Sequence, residues 1–296
     1  MTFLQLTANQ PTTDYSYLCA LMLSFRPAFF VLLLTTLLFS ACSGYQKLLK
    51  STDVNKKYEA AIRYYEEGDF FKAGTLLEEL IPLLKGRPEA EKAQFYFANT
   101  NYRQRNYTLG AYYFKNFHDT YPNSQYAEEA YFMQAKSLFK DSPSFQLDQT
   151  NTYTALEVIQ EFLRRYPESK FRVETESMSQ ELQKKLENKA FLAAKLYYDL
   201  RYYQSAVTAF TGFQQGYPAS AYGEQAAFLK LSAQYDMAKE SVPEKQQERY
   251  LEALAFYQTF IDNFPQSKDL KSAERMYDSA RDEVAKMKAA ATVVAK

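Results

Sequence analysis

A chain of 296 residues that is 47% hydrophobic and 24% charged has the apolar material for a sizeable core and is not a disordered polymer. Basic and acidic residues number 35 each, so no net field favours nucleic acid or an acidic lipid surface. The 26 Tyr and 23 Phe, set against eight Gly and no Trp, point to helices that pack through rings and away from glycine-rich catalytic loops.

In chain order the first signal is Ala28 to Phe39, an apolar run preceded by Arg26 and followed by Ser40, Ala41 and Cys42. A bilayer-spanning helix needs about twenty apolar residues, and this run falls short. A positive flank, a short apolar core and small residues before a cut site are instead the layout of a secretory signal. Ser40-Ala41-Cys42 resembles a bacterial lipobox, although Phe39 stands where such signals usually carry Leu. The resemblance implies a signal peptide over 1–41, cleavage before Cys42, and covalent lipid on that cysteine as the chain's only added group, with no cofactor. Three acyl chains, at about 0.8 kcal/mol per buried methylene, hold a protein on a membrane almost irreversibly. Residues 1–21 carry Asp14 and no Lys or Arg, so Met22 makes a more compact start. Cys19 falls within the removed segment, which leaves no cysteine pair to oxidise.

Residues 42–53 are short and polar, and are read as a lipidated tether. Repeats follow. Tyr64-Tyr65 and then Gly68-Asp69-Phe70 and Ala73 match the turn of a tetratricopeptide (TPR) unit. Aligning later segments on that turn places small residues at Ala73, Gly110, Ala155, Ala206 and Ala253. Four residues on stand Leu77, Phe114, Ile159, Phe210 and Tyr257, and seven on stand Leu80, Phe117, Phe162, Phe213 and Phe260. These positions share one helical face, so each second helix offers an apolar stripe to its neighbours.

Each stripe ends in the string Phe-x-x-x-aromatic-Pro-x-Ser, at Phe117–Ser124, Phe162–Ser169, Phe213–Ser220 and Phe260–Ser267. Pro122, Pro167, Pro218 and Pro265 stop the helix. The serines are expected to cap the next one. Counting Pro88 as a degenerate first member, the prolines lie 34, 45, 51 and 47 residues apart. The excess over a standard unit is assigned to a loop at 141–151, a long charged helix over about 172–200, and a polar insertion at 239–249. The expectation is an all-α, TPR-like helical-hairpin solenoid of five repeats: units one to three over 54–169, units four and five with a C-terminal helix over 170–288, and a disordered tail over 289–296.

No catalytic or metal constellation stands out. His118 is the single histidine and is read as a surface or groove residue. Acidic pairs such as Glu66-Glu67 sit about a hundred degrees apart on a helix and suit solvated faces. The chain is read as a binding protein and not an enzyme. First helices of TPR units line the concave side, and the inward positions of the first two are Tyr58, Ile62, Tyr65, Phe95, Asn99 and Tyr102. Such a groove stacks on side chains and hydrogen-bonds a peptide.

The lipobox followed by five TPR-like units with aromatic-Pro-x-Ser closures resembles the BamD family of outer-membrane β-barrel assembly lipoproteins. The more particular marks are LDQTNTYTALEVIQEFLRRYPES at 147–169 and LENKAFLAAKLYYDLRYYQSAVTAFTGFQQGYPAS at 186–220. The resemblance implies a lipid anchor on the periplasmic face of the outer membrane. It also implies that the amino-terminal groove receives unfolded outer-membrane proteins. Units four and five with the last helix, Tyr257 and Arg275 among them, would bind a BamA-type barrel protein, with other assembly-complex subunits as further partners and no nucleic acid. A TPR scaffold for cell-wall or pilus assembly is the competing reading, and the uneven spacing counts against it. A glycan-capturing lipoprotein of the SusD type would be longer and use Trp for sugar stacking.

Overall fold

The computed structural model describes residues 44–294, with side chains to 290. The signal segment and Cys42 lie outside the described residues. Within them the regular structure is helical, without strand. The helices are α1 Val54–Glu66, α2 Phe70–Leu80, α3 Glu89–Arg103, α4 Tyr107–Thr120, α5 Ala127–Asp141, α6 Thr150–Arg165, α7 Arg172–Asp199, α8 Tyr203–Gly216, α9 Gly223–Lys239, α10 Pro243–Asn263 and α11 Leu270–Val294. Each of the five expected repeats is thus two consecutive helices, those of the third joined by the longer segment 142–149. The chain divides into two compact units, one ending at Gln104 and one beginning at Arg105.

In the first unit, Asp53 caps α1 by accepting from the Lys56 N–H at 3.0 Å. Gly68, at φ 82°, turns the chain back, and the Asp69 N–H returns to the Tyr64 carbonyl at 2.9 Å. That left-handed position suits glycine because a Cβ there meets the following carbonyl. Asp69 then caps α2 through the Lys72 N–H. The core between these helices is Ala60, Ala61, Ala73, Leu76, Leu77 and Leu80. Gly74 brings α2 close to α3, since a Cβ on it would lie 3.1 Å from Thr100 Oγ1.

Within the stretch read as a lipidated tether, residues 44–49 are helical. Lys57, only 3% exposed, donates to the Leu49 carbonyl at 2.8 Å and to Glu79 Oε1 at 2.6 Å, fastening this segment to α1 and α2. The Tyr45 and Tyr64 rings meet edge to face at 5.8 Å.

The second unit carries α4 to α11. The aligned stripe is its interior: Phe114, Ile159, Phe162, Phe210 and Phe260 are all at or below 1% exposure. The closing serines act in a way the sequence does not state. Each hydroxyl accepts the N–H two residues on, at Tyr126, Phe171, Tyr222 and Asp269, and so builds a turn ahead of the helix instead of capping the helix itself. Three of them also donate to a glutamate on the same hairpin's first helix: Ser169 to Glu128 at 2.6 Å, Ser267 to Glu224 at 2.7 Å, and Ser220 to Glu187. Four residues beyond two of those glutamates, Phe132 and Phe191 stack on Phe171 and Tyr222 at 4.2 and 4.5 Å.

The insertion loop 142–149 between α5 and α6 is held by α7. Lys189 donates to the Phe145 and Leu147 carbonyls, and Lys185 to Ser142 Oγ. Two other expectations change. The insertion at 239–249 is mostly extra turns at the start of α10, where Pro243 occupies the first turn and removes no helical hydrogen bond. The last helix runs to Val294, past Lys288, because Ala289 to Ala291 favour helix and no Gly or Pro intervenes.

Candidate functional site

The open face of the first unit is built by α1 and α3. Tyr65 of α1 stacks on Tyr96 of α3, ring centroids 4.2 Å apart, and meets Phe70 edge to face at 5.6 Å. Lys92 Nζ lies 5.1 Å above the Tyr96 ring, and the Arg103 guanidinium lies 4.6 Å above Phe70. Lys92, Tyr96, Asn99 and Arg103 recur at helical spacing, so one stripe of α3 carries cation, ring, amide and cation in turn.

Of the residues expected to line the groove, Tyr58, Ile62, Tyr65 and Tyr102 are half-buried. Asn99 is 9% exposed, and its amide makes no hydrogen bond among the described residues. Phe95 is corrected to a packing residue, since it is 4% exposed. The reason is a pattern not used in reading the sequence, Glu-x-x-x-Phe, at 91–95, 128–132, 187–191 and 224–228. Phe95 holds the place that Phe132 and Phe191, 2% and 3% exposed, fill in the second unit. Tyr96, one position on, is the ring that faces Tyr65.

The second unit has its own cleft of about 340 Å³, lined by Tyr198, Phe228, Ser232, Tyr235, Arg275 and Met276. The Tyr198 hydroxyl donates to Asp236 at 3.2 Å. Burial first, and the Asp236 charge second, push the Tyr198 phenol up to about 12. Burial likewise raises the Asp236 carboxyl above the usual carboxylate range, against the pull of the Tyr198 hydrogen bond. Tyr235 Oη and Ser279 Oγ are 2.9 Å apart.

Arg275 is exposed on the rim and donates to Ser272 Oγ at 2.9 Å. Tyr257 lies elsewhere, its ring 4.5 Å from Tyr277. Arg275 and Tyr277 are two positions apart on one helix, about 200° round it, so the two residues assigned to partner binding do not share a face. Burial and the Glu274 charge raise the Tyr257 phenol.

His118 is not a surface residue. It is 6% exposed, its ring stacks on Tyr131 at 4.7 Å, and Nε2 lies 3.3 Å from the Tyr166 hydroxyl. No group of three or more His, Cys, Asp or Glu among the described residues is placed to hold a metal. No helix among them is long and apolar enough to cross a membrane.

With this geometry in view, comparison with known proteins is specific. The profile of the YfiO family, described as outer membrane lipoprotein, matches residues 50–249. A protein of Aquifex aeolicus (strain VF5) named for the outer membrane protein assembly factor BamD is 29% identical over 179 residues, 60% of this chain and 58% of its own length. The match therefore spans less than two thirds of that relative. A crystal structure of TPR-like repeats from a Podosopora anserina kinesin light chain aligns over 79% of this chain and 96% of its own, at 13% identity and a TM-score of 0.31. The matched segment runs from just before α1 into α10, two thirds of the sequence and nearly every hairpin, and the chain belongs to the YfiO family of outer membrane lipoproteins.

Proposed function

We propose that the protein is a non-enzymatic adaptor of outer-membrane β-barrel assembly, held by lipid on Cys42 at the periplasmic face of the outer membrane. Unfolded barrel proteins enter the α1–α3 groove of the first unit. A barrel-forming BamA-type partner binds the second unit near the Arg275 cleft, and other subunits of the assembly complex dock elsewhere. The family match carries the general role, and the Aquifex aeolicus relative is named for the same process.

The groove supports the finer reading. The Tyr65–Tyr96 stack gives the groove an aromatic wall, and Lys92 and Arg103 offer charge to a chain-terminal carboxylate. Asn99 adds an amide in the same stripe, able both to donate to and to accept from a peptide backbone.

Photo-cross-linking in cells tests the assignment. A reactive residue at Tyr65 is expected to capture outer-membrane barrel proteins, and one at Arg275 a barrel-forming partner. Depletion is expected to lower barrel proteins of the outer membrane as a class. Unchanged barrel-protein levels together with altered cell-wall synthesis would favour the scaffold reading instead.

A further inference from the structure

A basic cleft opens at the start of the described chain. Lys47 and Leu48 of the 44–49 helical segment, Ser51, and Lys56, Arg63 and Tyr64 of α1 enclose about 400 Å³, with Gly44 at the edge. Three cations and no carboxylate line it. Among the described residues Lys47 and Lys56 have no ion-pair partner, and Arg63 has only Glu67 at 3.8 Å, with both side chains more than half exposed. Lys57, the next residue, is fully accounted for by Glu79 and the Leu49 carbonyl.

Lys56 lies in the first turn of α1, where the helix dipole disfavours a cation and favours an anion. The capping Asp53 carboxylate, which takes the Lys56 N–H at 3.0 Å, answers part of that field, and an anion in the cleft adds to it. Ser51 Oγ accepts the Asp53 N–H at 3.2 Å, so its own hydroxyl hydrogen is left to donate. Leu48 and Tyr64 add an apolar wall, from which an inorganic ion gains nothing and an amphipathic molecule gains burial. Zero net charge over the chain does not cancel a local cluster, since exposed charges more than about 8–10 Å away are screened.

Cys42 precedes Gly44 by two residues, a reach of about 7 Å at most. We propose that this cleft binds the phosphate headgroup of an anionic lipid in the membrane that anchors the chain. The proposal rests on the lipid-anchor reading of Cys42. Lys47, Lys56, Arg63 and the Ser51 hydroxyl take the phosphate oxygens, and Leu48 and Tyr64 face the glycerol and upper acyl region. The headgroup then orients the first unit on the bilayer, which a single acylated residue alone does not do.

The test uses mature protein purified from membranes, with acylation of Cys42 measured first by mass spectrometry. Reaction of lysines with an acetylating reagent is then followed in phosphatidylcholine vesicles with and without phosphatidylglycerol. Lys47 and Lys56 are expected to slow by about fivefold or more with phosphatidylglycerol, from about 1 kcal/mol per basic residue at an anionic surface, while Lys184 is unchanged. Lys47→Gln is expected to restore much of the Lys56 reactivity, because both hold one phosphate. Equal slowing by inorganic phosphate in phosphatidylcholine alone would overturn the lipid assignment, as would equal slowing at Lys184. No slowing in acylated protein overturns the inference and leaves the anchor standing. Slowing at Lys47 and Lys56 in protein without acylation sustains the inference and removes the anchor.

Discussion

His118 lies against the Tyr131 ring, with the Tyr166 hydroxyl, Asp119, Lys115 and Arg165 around it. Burial is the largest cause of its depressed pKa, followed by the Arg165 charge; Asp119 pulls the other way. The unfolded chain, whose histidine titrates near about 6.5, therefore takes up a proton more readily than the fold does. The His118 contribution to stability is whole above that value and is lost as pH falls towards the depressed native one. Denaturant unfolding of the protein and of His118→Phe at a series of pH values is expected to show the gap between them narrowing as pH drops below about 6.5. A gap independent of pH would mean that the imidazole takes up its proton alike in the folded and unfolded chain, with no shift on folding. The sequence places His118 in a helix but not under Tyr131, since that contact joins α4 to α5 and depends on how two helices rotate about their axes. Phe95 was misjudged for the same reason: one residue is about 100° of helix, enough to exchange a groove ring for a packing ring.

Between elements, the recurrent unit is a joint. A glutamate on one hairpin's first helix receives the closing serine of that hairpin, while the phenylalanine four residues on stacks on the aromatic that follows the serine, as Glu187, Phe191, Ser220 and Tyr222 do. Hydrogen bonds to a charged group contribute about 1.5–3 kcal/mol, and this one is half-buried. Ser220→Ala is expected to lower unfolding free energy by about 1–2 kcal/mol, and Glu187→Gln by less, because the amide still accepts. Chemical denaturation reads both, and equal small losses would show that the serine acts only through its local turn. Much of this level was legible. Helix-stopping prolines, small residues at the crossings and the aromatic stripe located the hairpins, because helical periodicity and proline sterics are local. The joints were not, since the partners are 33 to 43 residues apart and the glutamate resembles any solvated one. The turns show a similar division: Gly68 announces its left-handed backbone, whereas Arg105 and Arg201 take φ near 64° without any sequence mark.

At the scale of the molecule, two units carry two candidate surfaces of different chemistry. The first unit presents stacked tyrosines with cations above rings; the second presents Tyr198, Tyr235 and Arg275 about a half-buried Asp236. If the tasks are separate, Tyr96→Ala is expected to lose the barrel-protein cross-links of a probe at Tyr65 while those of a probe at Arg275 persist, and Tyr198→Ala to do the reverse. Loss of both in either variant would mean a single continuous surface. Composition could not distinguish these surfaces, nor the cation cluster beside residue 44, because both signs of charge number 35 and cancel in any sum. What identified the family was the order of features along the chain.

The serine–glutamate joints also bear on how such a chain can change length. Two hairpins are registered by atoms at fixed places, a hydroxyl, a carboxylate and two rings, and of the segments that make the repeats unequal only the long α7 contributes any of them, through Glu187 and Phe191. Loop 142–149, fastened by Lys185 and Lys189, and the first turns of α10 supply none of the joint atoms. Adding one residue at a closure is therefore expected to cost more stability than adding one at the start of α10, so the uneven proline spacing sits where a change of length leaves the joints their atoms.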